Sequence, residues 1–325
     1  MITVQKYSIE KSIEWNSFLT RGKNQSFIFS RTFMDYHADR FTDYSLMVYE
    51  DDKLVALVPA NLHNTQDTIT SHNGLTYGGI AVANDIRSIK TIEYMYNIML
   101  FLHNSGIEIF NLKQIPAFYN QIQGDEVDYA LFLMNATLYR MDFASAINLH
   151  HKLEYQERRK RSIKKATKLN VEIKGSVDCV NFWNEILEPN LMNRFGVKPV
   201  HSLEEMTSLM EKNSPSIKQF NAYLDGKIMA GATIFETQLV AHAQYISASE
   251  EGRKNGSLDL LFDKLISIYF ADKAYFDFGI VNEQQGKQIN KGLLDWKEGF
   301  GGRSYAHRFY AVETKNYTNL EIVLA

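Results

Sequence analysis

Apolar and polar positions alternate along two neighbouring segments near the start of the chain. Residues 44–49 (YSLMVY) and 54–59 (LVALVP) flank the charged stretch EDDK. Two such segments joined by a short polar stretch predict a β-hairpin. Residues 219–224 (QFNAYL) and 228–235 (IMAGATIF), joined by DGK, predict a second hairpin about half the chain further on.

Each predicted hairpin is followed by the same series of elements. The pattern predicts a further strand, then a helix with apolar residues at a period of 3.6, and then a buried strand in each half. These elements span 75–82, 86–103 and 107–112 in the first half, and 239–247, 257–270 and 274–280 in the second. Because the order occurs twice, it predicts a duplicated α/β module.

A strongly basic segment lies between the two copies. Seven of the eleven residues from Arg158 to Lys168 are arginine or lysine. The segment predicts an exposed helix that crosses from one domain to the other. We place the boundary near 145–155, which gives the predicted domains 1–150 and 151–325.

The basic segment contrasts with the charge of the whole chain. The net charge is −3, which argues against a protein whose entire surface serves nucleic acid. A local patch of Arg158, Arg161 and Lys164 predicts contacts to phosphates of a tRNA, of a nucleotide-linked acceptor or of a membrane surface. The alternative is a solvated helix face without a ligand.

The composition is that of an ordinary globular protein. Hydrophobic residues make up 45% and charged residues 22% of the chain. The first residues lack the pattern of a signal peptide, and no apolar run reaches the roughly 18 residues of a membrane span. A single cysteine agrees with a reducing compartment. We therefore expect a soluble, cytoplasmic protein.

Three motifs resemble those of a known family. Residues 161–171 (RSIKKATKLNV), 277–279 (DFG) and 290–301 (NKGLLDWKEGFG) are similar to motifs of the bacterial Fem-type peptidoglycan-bridge aminoacyltransferases and related tandem GNAT proteins. The resemblance implies an α/β fold of two tandem GNAT-like domains, each a mixed, mainly antiparallel sheet flanked by helices. It also implies transfer of an amino acid from aminoacyl-tRNA, or of an acyl group from coenzyme A, onto an amine.

The donor is predicted from one loop of the second copy. GNAT domains hold the coenzyme A pyrophosphate with backbone N–H groups at a helix N-terminus. The second copy has RKNGSL at this point, and the first copy has no glycine there. We therefore predict acetyl-CoA or another acyl-CoA as co-substrate of the second domain, with aminoacyl-tRNA as the alternative. The predicted donor-binding residues are Gln244, Arg253, Lys254, Gly256 and Ser257.

Three residues are candidates for the chemistry of amide formation. Asp277 lies within an apolar strand, where a carboxylate is costly unless it is paired or faces a cleft. We predict that Asp277 deprotonates the amine. The alternative is that it forms a structural pair with Lys297 or Arg303. Tyr245 is predicted to protonate the leaving group, with a packed core tyrosine as the alternative. The resemblance implies that Lys297 binds donor phosphate or developing negative charge; a surface lysine is the alternative.

Four residues are predicted on the acceptor side. Tyr77 has glycines on both sides, which permit close approach of the backbone to a ligand or a tight turn. His201 precedes Ser202, the first residue of a capping box, so a structural role is an alternative. Glu283 and Asn290 lie between Asp277 and Lys297 in sequence and are predicted to line the same pocket.

The resemblance and these residues together predict an N-acyltransferase that acts on an amine of a cell-envelope or polysaccharide precursor. One alternative is a Fem-like transferase that depends on aminoacyl-tRNA. Another is a binding module of the same fold without catalysis. The histidines show no metal-ligand spacing, and we predict no metal.

Overall fold

The chain forms two compact units. A computed structural model describes all 325 residues. Unit 1 comprises Met1–Asp142 and Ala306–Ala325, and unit 2 comprises Phe143–Tyr305. The end of the chain belongs to unit 1, and not to a domain of 151–325, because Phe309–Glu313 pairs with a strand of unit 1. Pairing between segments so far apart leaves no periodic pattern in the sequence.

The strands are, in chain order, β1 (Ile2–Lys6), β2 (Thr42–Asp43), β3 (Leu46–Glu50), β4 (Lys53–Val58), β5 (Asn61–Leu62), β6 (Thr68–Thr70), β7 (Ala81–Val82), β8 (Ile109–Lys113), β9 (Thr137–Asn148), β10 (Glu172–Ser176), β11 (Ile217–Leu224), β12 (Lys227–Glu236), β13 (Val240–Ala248), β14 (Tyr275–Ile280), β15 (Asn282–Glu283), β16 (Gln288–Ile289) and β17 (Arg303–Glu313). The helices are α1 (Ser12–Phe18), α2 (Arg31–Met34), α3 (Ser88–Asn104), α4 (Glu126–Leu133), α5 (Glu157–Lys168), α6 (Val180–Phe182), α7 (Glu188–Phe195), α8 (Leu203–Lys212), α9 (Glu250–Asn255), α10 (Ser257–Lys264), α11 (Lys291–Glu298) and α12 (Glu321–Leu324). None of them combines the length and the apolar run that a bilayer span requires.

Unit 1 contains the first predicted hairpin. Strands β3 and β4 pair antiparallel, and Asp51 and Asp52 form the turn with positive φ, as a type I′ hairpin turn requires. Strand β1 pairs with β3, β7 pairs with β4, and β6 pairs in parallel with β8. Helix α3 contributes fully buried residues, including Ile98 and Met99, to the same core.

The strand predicted over 75–82 is mostly a loop. Only β7 is extended in the sheet, and the chain from Ser71 to Ile80 lies between β6 and β7. A Cβ at Gly78 would stand 1.5 Å from the carbonyl oxygen of Ser71. The glycines of this segment therefore permit a close backbone approach within a loop, and the prediction of a strand there was wrong.

Unit 2 contains the second predicted hairpin. Its strand order is β10-β11-β12-β13-β14-β9. All pairs are antiparallel except β13 with β14, which pair in parallel. The helix predicted over 257–270 is α10 followed by a π-helical turn at Leu265–Tyr269. Mixed, mainly antiparallel strands flanked by helices confirm the predicted α/β fold class.

The two faces of this sheet differ in polarity. Phe276 and Phe278 of β14 pack against Phe262 of α10 in the apolar core of unit 2. Because side chains alternate along a strand, Asp277 points to the opposite face. That face also buries polar side chains of β11 and β12, including Gln219 and Thr233, which share a hydrogen bond of 2.7 Å. A buried polar face of this kind is a place to look for a functional site.

The basic segment forms α5, as predicted, but it does not cross between the units. It lies wholly within unit 2. Ala166 is fully buried in the core of unit 2, and Arg159 donates two hydrogen bonds of 2.7 Å to the carboxylate of Asp259 on α10. One face of α5 is therefore a structural part of unit 2.

Candidate functional site

Strands β13 and β14 pair along only part of their length. Their three parallel pairs end at His242 and Asp277. Beyond that point β13 continues alongside β12 as far as Ala248, while β14 bulges and Ile280 pairs with Ala144 of β9. We call the space between residues 244–247 of β13 and 278–280 of β14 the wedge. The last parallel pair lies at its apex.

A histidine and an aspartate form the apex of the wedge. His242 Nδ1 lies 2.8 Å from Asp277 Oδ2, and both residues are more than nine-tenths buried. The N–H of Gly279 donates to Asp277 Oδ1 at 2.7 Å. The carboxylate thus accepts from both sides, which stabilises its ionised form inside the protein.

The other nitrogen of the same ring faces the wedge. His242 Nε2 lies 3.2 Å from Oε1 of Gln244. Oxygen atoms therefore lie within hydrogen-bond distance of both ring nitrogens. His242 is not among the residues predicted from sequence, because only the pairing of β13 with β14 brings it to Asp277. The signal that could have found it is a histidine two residues before Gln244 on a predicted strand.

Asp277 and Lys297 have different hydrogen-bond partners in the structure. Asp277 binds His242, and neither Lys297 nor Arg303 forms an ion pair with it. Lys297 is not a surface lysine, and its ammonium group contacts the protein backbone. Its side chain is buried, and Nζ donates to the carbonyl oxygens of Phe278, Gly279 and Ile280 at 2.7, 2.9 and 2.9 Å.

Burial gives this lysine an unusual proton affinity. Loss of solvent lowers the pKa of Lys297 to about 8, although the negative charge of Asp277 opposes the shift. Its three carbonyl partners belong to the bulge of β14, where Gly279 has a φ of 74°. Lys297 therefore fixes the backbone that carries Asp277, and it acts on the site through that backbone.

Tyr245 and His201 are brought together, although 44 residues separate them. The hydroxyl of Tyr245 shares a hydrogen bond with Nδ1 of His201 and accepts one from its backbone N–H. The ring of Tyr245 packs edge-on against Trp183, with 4.8 Å between the ring centroids. Ser202 begins α8 with the predicted capping box. Tyr245 and His242 are both on β13.

The loop predicted to hold coenzyme A is covered by protein. A Cβ at Gly256 would stand 2.3 Å from the carbonyl oxygen of Ser162 on α5, so the two backbones are in contact. The N–H of Ser257 already donates to Oδ1 of Asn255 at 2.9 Å, and Ser257 is fully buried.

Charges at the start of α10 are also compensated within the chain. The carboxylate of Asp259, in the first turn, lies where a bound anion would be stabilised. Arg253 donates to the carbonyl of Ala248, and exposed Lys254 pairs with Glu250 at 2.6 Å. The residues present do not fit a pyrophosphate at this helix N-terminus, and the predicted donor role of this loop is corrected accordingly.

The basic face of α5 is smaller than predicted. Arg158 forms an ion pair with Asp295 and also donates to its carbonyl oxygen at 2.8 Å, so it is held within unit 2. Arg161 and Lys164 are exposed and make no hydrogen bond or ion pair. These two side chains remain available to an anionic ligand.

The remaining predicted acceptor residues have partners elsewhere in the chain. Asn290 caps α11 through a hydrogen bond to the N–H of Leu293, and its side chain donates to Glu283 at 2.9 Å. Tyr77 belongs to unit 1, where it is buried against Phe29 and Tyr119. Its packing explains the residue without a ligand.

Solved structures resemble the whole chain. No protein-family model and no curated protein matches the sequence. FemX superposes with a TM-score of 0.68 at 9% identity, over 98% of this chain and 99% of that one. The C-terminal domain of a putative lysylphosphatidylglycerol synthetase from Agrobacterium fabrum gives 0.60 at 11% identity, over 97% and 96%. A tandem GNAT protein from the clavulanic acid biosynthesis pathway gives 0.52 at 8% identity, over 97% and 99%.

These likenesses confirm the fold that the sequence motifs implied. The chain has a tandem GNAT fold like that of FemX. At such low identities the likeness concerns the fold, and the function must be argued from the site itself.

Proposed function

We propose that unit 2 is the catalytic centre of a transferase that moves an acyl group from an ester or thioester to a primary amine. The observation that carries this proposal is the buried pair of His242 and Asp277 at the apex of the wedge. The fold supports it, since the chain superposes on FemX and on part of a putative lysylphosphatidylglycerol synthetase.

The pair supplies the proton transfer that amide formation needs. The nitrogen of the uncharged amine attacks the acyl carbon, and as this bond forms neutral His242, held by Asp277, accepts a proton from that nitrogen at Nε2. The tetrahedral intermediate then collapses, and the bond from the acyl carbon to the leaving oxygen or sulfur breaks. The imidazolium returns the proton to the leaving group, so the histidine is regenerated.

Neighbouring groups complete this site. The register of the β12–β13 pair shifts at Gln244, and bulges of this kind are common next to active sites. When the amine approaches, Nε2 of His242 exchanges its contact with Gln244 for the substrate. Tyr245, on the same strand, orients the acceptor through its hydroxyl.

An aminoacyl ester carried on tRNA is the donor that the geometry favours. The start of α10 is covered by α5 and leaves no cradle for a pyrophosphate. The exposed cations Arg161 and Lys164 lie on that same helix. Cationic side chains on a helix bind the phosphates of nucleic acid without reading its sequence.

Coenzyme A is the second candidate. The motif RKNGSL, which resembles the pyrophosphate loop of GNAT domains, supports this candidate, and it would require α5 to move away from Gly256. For the acceptor, we propose the amine of a cell-envelope or polysaccharide precursor, which the resemblance to Fem-type transferases supports.

Two binding measurements separate the donors. We expect tRNA to bind, and we expect Arg161→Gln and Lys164→Gln each to reduce the salt dependence of log K by about one, the effect of one lost phosphate contact. Lys227→Gln, an exposed lysine in a hairpin turn, is the matched control and leaves binding unchanged. Calorimetry should show no saturable binding of coenzyme A. Micromolar coenzyme A affinity without tRNA binding would establish the second candidate instead.

Turnover tests the transferase itself. Labelled aminoacyl-tRNAs and acyl-CoAs are incubated with the chain and a panel of amino sugars and peptide amines, and amides are detected by mass spectrometry. Amide formation that His242→Asn abolishes supports the proposal. Binding without turnover of any donor, together with a variant that behaves like wild type, would identify a non-catalytic binding module.

A further inference from the structure

Unit 2 exposes a short segment directly before His201. The 192–200 segment consists of the last turn of α7 and most of the loop that joins it to α8. Every residue from 192 to 198 is exposed, and so is Val200. Since α7 buries none of its residues, these side chains add little to the core of unit 2.

Large apolar side chains are concentrated in this segment. Met192, Phe195, Val197 and Val200 are 45%, 61%, 50% and 78% exposed. No other stretch of the same length in the chain exposes as many large apolar side chains. Single exposed apolar residues are ordinary on a protein surface, whereas a group of them marks a contact with a partner or a membrane.

Local structure holds the 192–200 segment in place. Met192 and Phe195 are three residues apart on α7 and lie on one side of the helix. Gly196 ends the helix with a φ of 66°, and its N–H donates to the carbonyl oxygen of Met192 at 3.0 Å. After the segment, the backbone N–H of His201 donates to the hydroxyl of Tyr245 at 3.3 Å. A folded backbone that is attached at both ends therefore presents the apolar side chains.

Both charged residues of the segment are cations. The guanidinium of Arg194 lies over the ring of Phe195, 5.4 Å from its centroid. Nζ of Lys198 lies 3.7 Å from a carboxylate oxygen of Glu188, and this pair is weak because both side chains are exposed to solvent. Cations beside exposed apolar side chains suit a lipid surface, where apolar groups enter the acyl boundary and cations contact phosphates.

The carboxylates nearest in sequence lie outside the segment, at the starts of helices. Glu188 is in the first turn of α7, and Glu204 and Glu205 are in the first turn of α8. The carboxylate of Glu205 accepts from the N–H of Ser202 at 2.8 Å. A helix N-terminus stabilises negative charge at these positions, so the segment itself carries positive charge only.

We propose that the 192–200 segment docks unit 2 on an anionic lipid surface. The four apolar side chains enter the interface, and Arg194 and Lys198 contact lipid phosphates. Because His201 follows the segment directly and bonds to Tyr245, docking brings the lipid surface near the proposed acceptor side of the wedge. Lipid binding is measured without an acyl donor, so its outcome is independent of the proposed transfer.

Vesicles made of equal parts of phosphatidylglycerol and phosphatidylcholine are the probe. Co-sedimentation of the whole chain gives its partition coefficient. At low salt we expect this coefficient to exceed that for pure phosphatidylcholine vesicles by roughly tenfold, because two cations face anionic phosphates. Added salt should reduce the difference by screening this attraction.

Apolar variants identify the surface that binds. Phe195→Ser and Val200→Ser should each lower the partition coefficient roughly tenfold, since each removes a large apolar side chain from the interface. The matched controls are Phe132→Ser and Ile322→Ser in unit 1, at positions that are 74% and 77% exposed. These controls should bind vesicles like the wild type.

A charge variant tests the contact with phosphates. Lys198→Gln should lower the partition coefficient roughly fivefold on the anionic vesicles and leave it unchanged on phosphatidylcholine. Lys227→Gln, at a similarly exposed lysine, should change neither.

Three results would overturn the proposal. The first is a wild-type chain that binds no anionic vesicles or binds both kinds of vesicle equally. The second is a loss in Phe132→Ser as large as that in Phe195→Ser. The third is the absence of vesicle binding together with a dimer, seen by light scattering, that Phe195→Ser dissociates, which would assign the segment to a second copy of the chain.

Discussion

The two units pair one strand in parallel with another in the same manner, but they place different side chains at the last pair. In unit 1, β6 and β8 form three parallel pairs that end with Thr70 and Asn111. In unit 2, β13 and β14 form three that end with His242 and Asp277. A titratable pair stands in one unit where the other has two groups that do not titrate near neutral pH. On the function proposed above, proton transfer therefore falls to unit 2, because Thr70 and Asn111 do not accept a proton near neutral pH.

The chain after the last pair differs as well. In unit 2, β13 continues for several residues and presents Gln244 and Tyr245 beside the wedge. In unit 1, the chain leaves the sheet after Thr70, and the loop that follows buries Tyr77, whose hydroxyl bonds to Ser26 at 2.8 Å. In unit 1, therefore, the residues after the last parallel pair form a loop and do not extend the strand as Gln244 and Tyr245 extend β13. The comparison teaches that a repeated fold does not imply a repeated site.

Breaking the pair in unit 2 should have the largest effect. We expect Asp277→Asn and His242→Asn each to lower the rate of acyl transfer by roughly 10²–10⁴-fold, the usual contribution of a positioned base. Thr70→Ala and Asn111→Ala make the matched changes in unit 1 and should leave the rate unchanged. Single-turnover kinetics with melting curves as a folding check provide the measurement. If the variants of unit 1 lowered the transfer rate as much as those of unit 2, the two last pairs would not differ in function.

The second prediction concerns a buried lysine in each unit. Lys297 donates to three carbonyls, whereas Lys113 donates to the carbonyl of Leu75. Lys297→Met should lower the free energy of unfolding by roughly 3 kcal/mol, because three carbonyls lose their donor. Lys113→Met should lower the free energy of unfolding by a smaller amount, because only one carbonyl loses its donor. Denaturant unfolding at neutral pH measures both, and equal costs would contradict the bonding seen here.

The same two lysines predict a dependence on pH. Burial lowers the pKa of each to about 8 from an ordinary value of 10.5. Between these values the unfolded chain binds more protons than the folded chain, so wild-type stability rises with pH across that window. In Lys297→Met and in Lys113→Met, the free energy of unfolding should rise less steeply with pH, because each variant lacks one of the two lysines. A slope unchanged in both variants would show that the folded lysines titrate normally.

The third prediction tests the contact between α5 and α10. Gly256 and Gly226 both have positive φ, but only Gly256 faces another backbone closely. Gly226→Ala should destabilise by about 1 kcal/mol through backbone strain, and Gly256→Ala by about 2–3 kcal/mol through strain and the clash with Ser162. Thermal unfolding compares them. Similar costs would mean that α5 moves away easily, which would reopen the donor loop to a phosphate.

The smallest effect is expected from two tyrosine hydroxyls. Tyr245→Phe removes the hydrogen bonds of that hydroxyl to His201, and Tyr77→Phe removes the hydrogen bond to Ser26. Each change should cost about 1–2 kcal/mol of stability. Only Tyr245→Phe should also change transfer, by raising the KM for the amine. If neither variant changes KM, the hydroxyl of Tyr245 serves packing alone.

The elements that could be predicted from sequence are those with local patterns. Both hairpins, the helix from Glu157 and the capping box at Ser202 depend on residues close together in the chain, and all were predicted. The partner of Asp277 was predicted as Lys297 or Arg303 because these follow it within a short distance. The actual partner, His242, is 35 residues earlier and meets Asp277 only through strand pairing.

The sequence by itself determined the hairpin, the helix and the buried strand that occur in each half, because the periods of 2 and 3.6 come from local backbone geometry. It also carried enough of a motif pattern to indicate the tandem GNAT fold. Only the tertiary structure decided that the last strand belongs to unit 1, that α5 covers Gly256, and that Lys297 holds the backbone of β14. Those facts depend on which distant surfaces pack together, and close packing is a property of the whole folded chain.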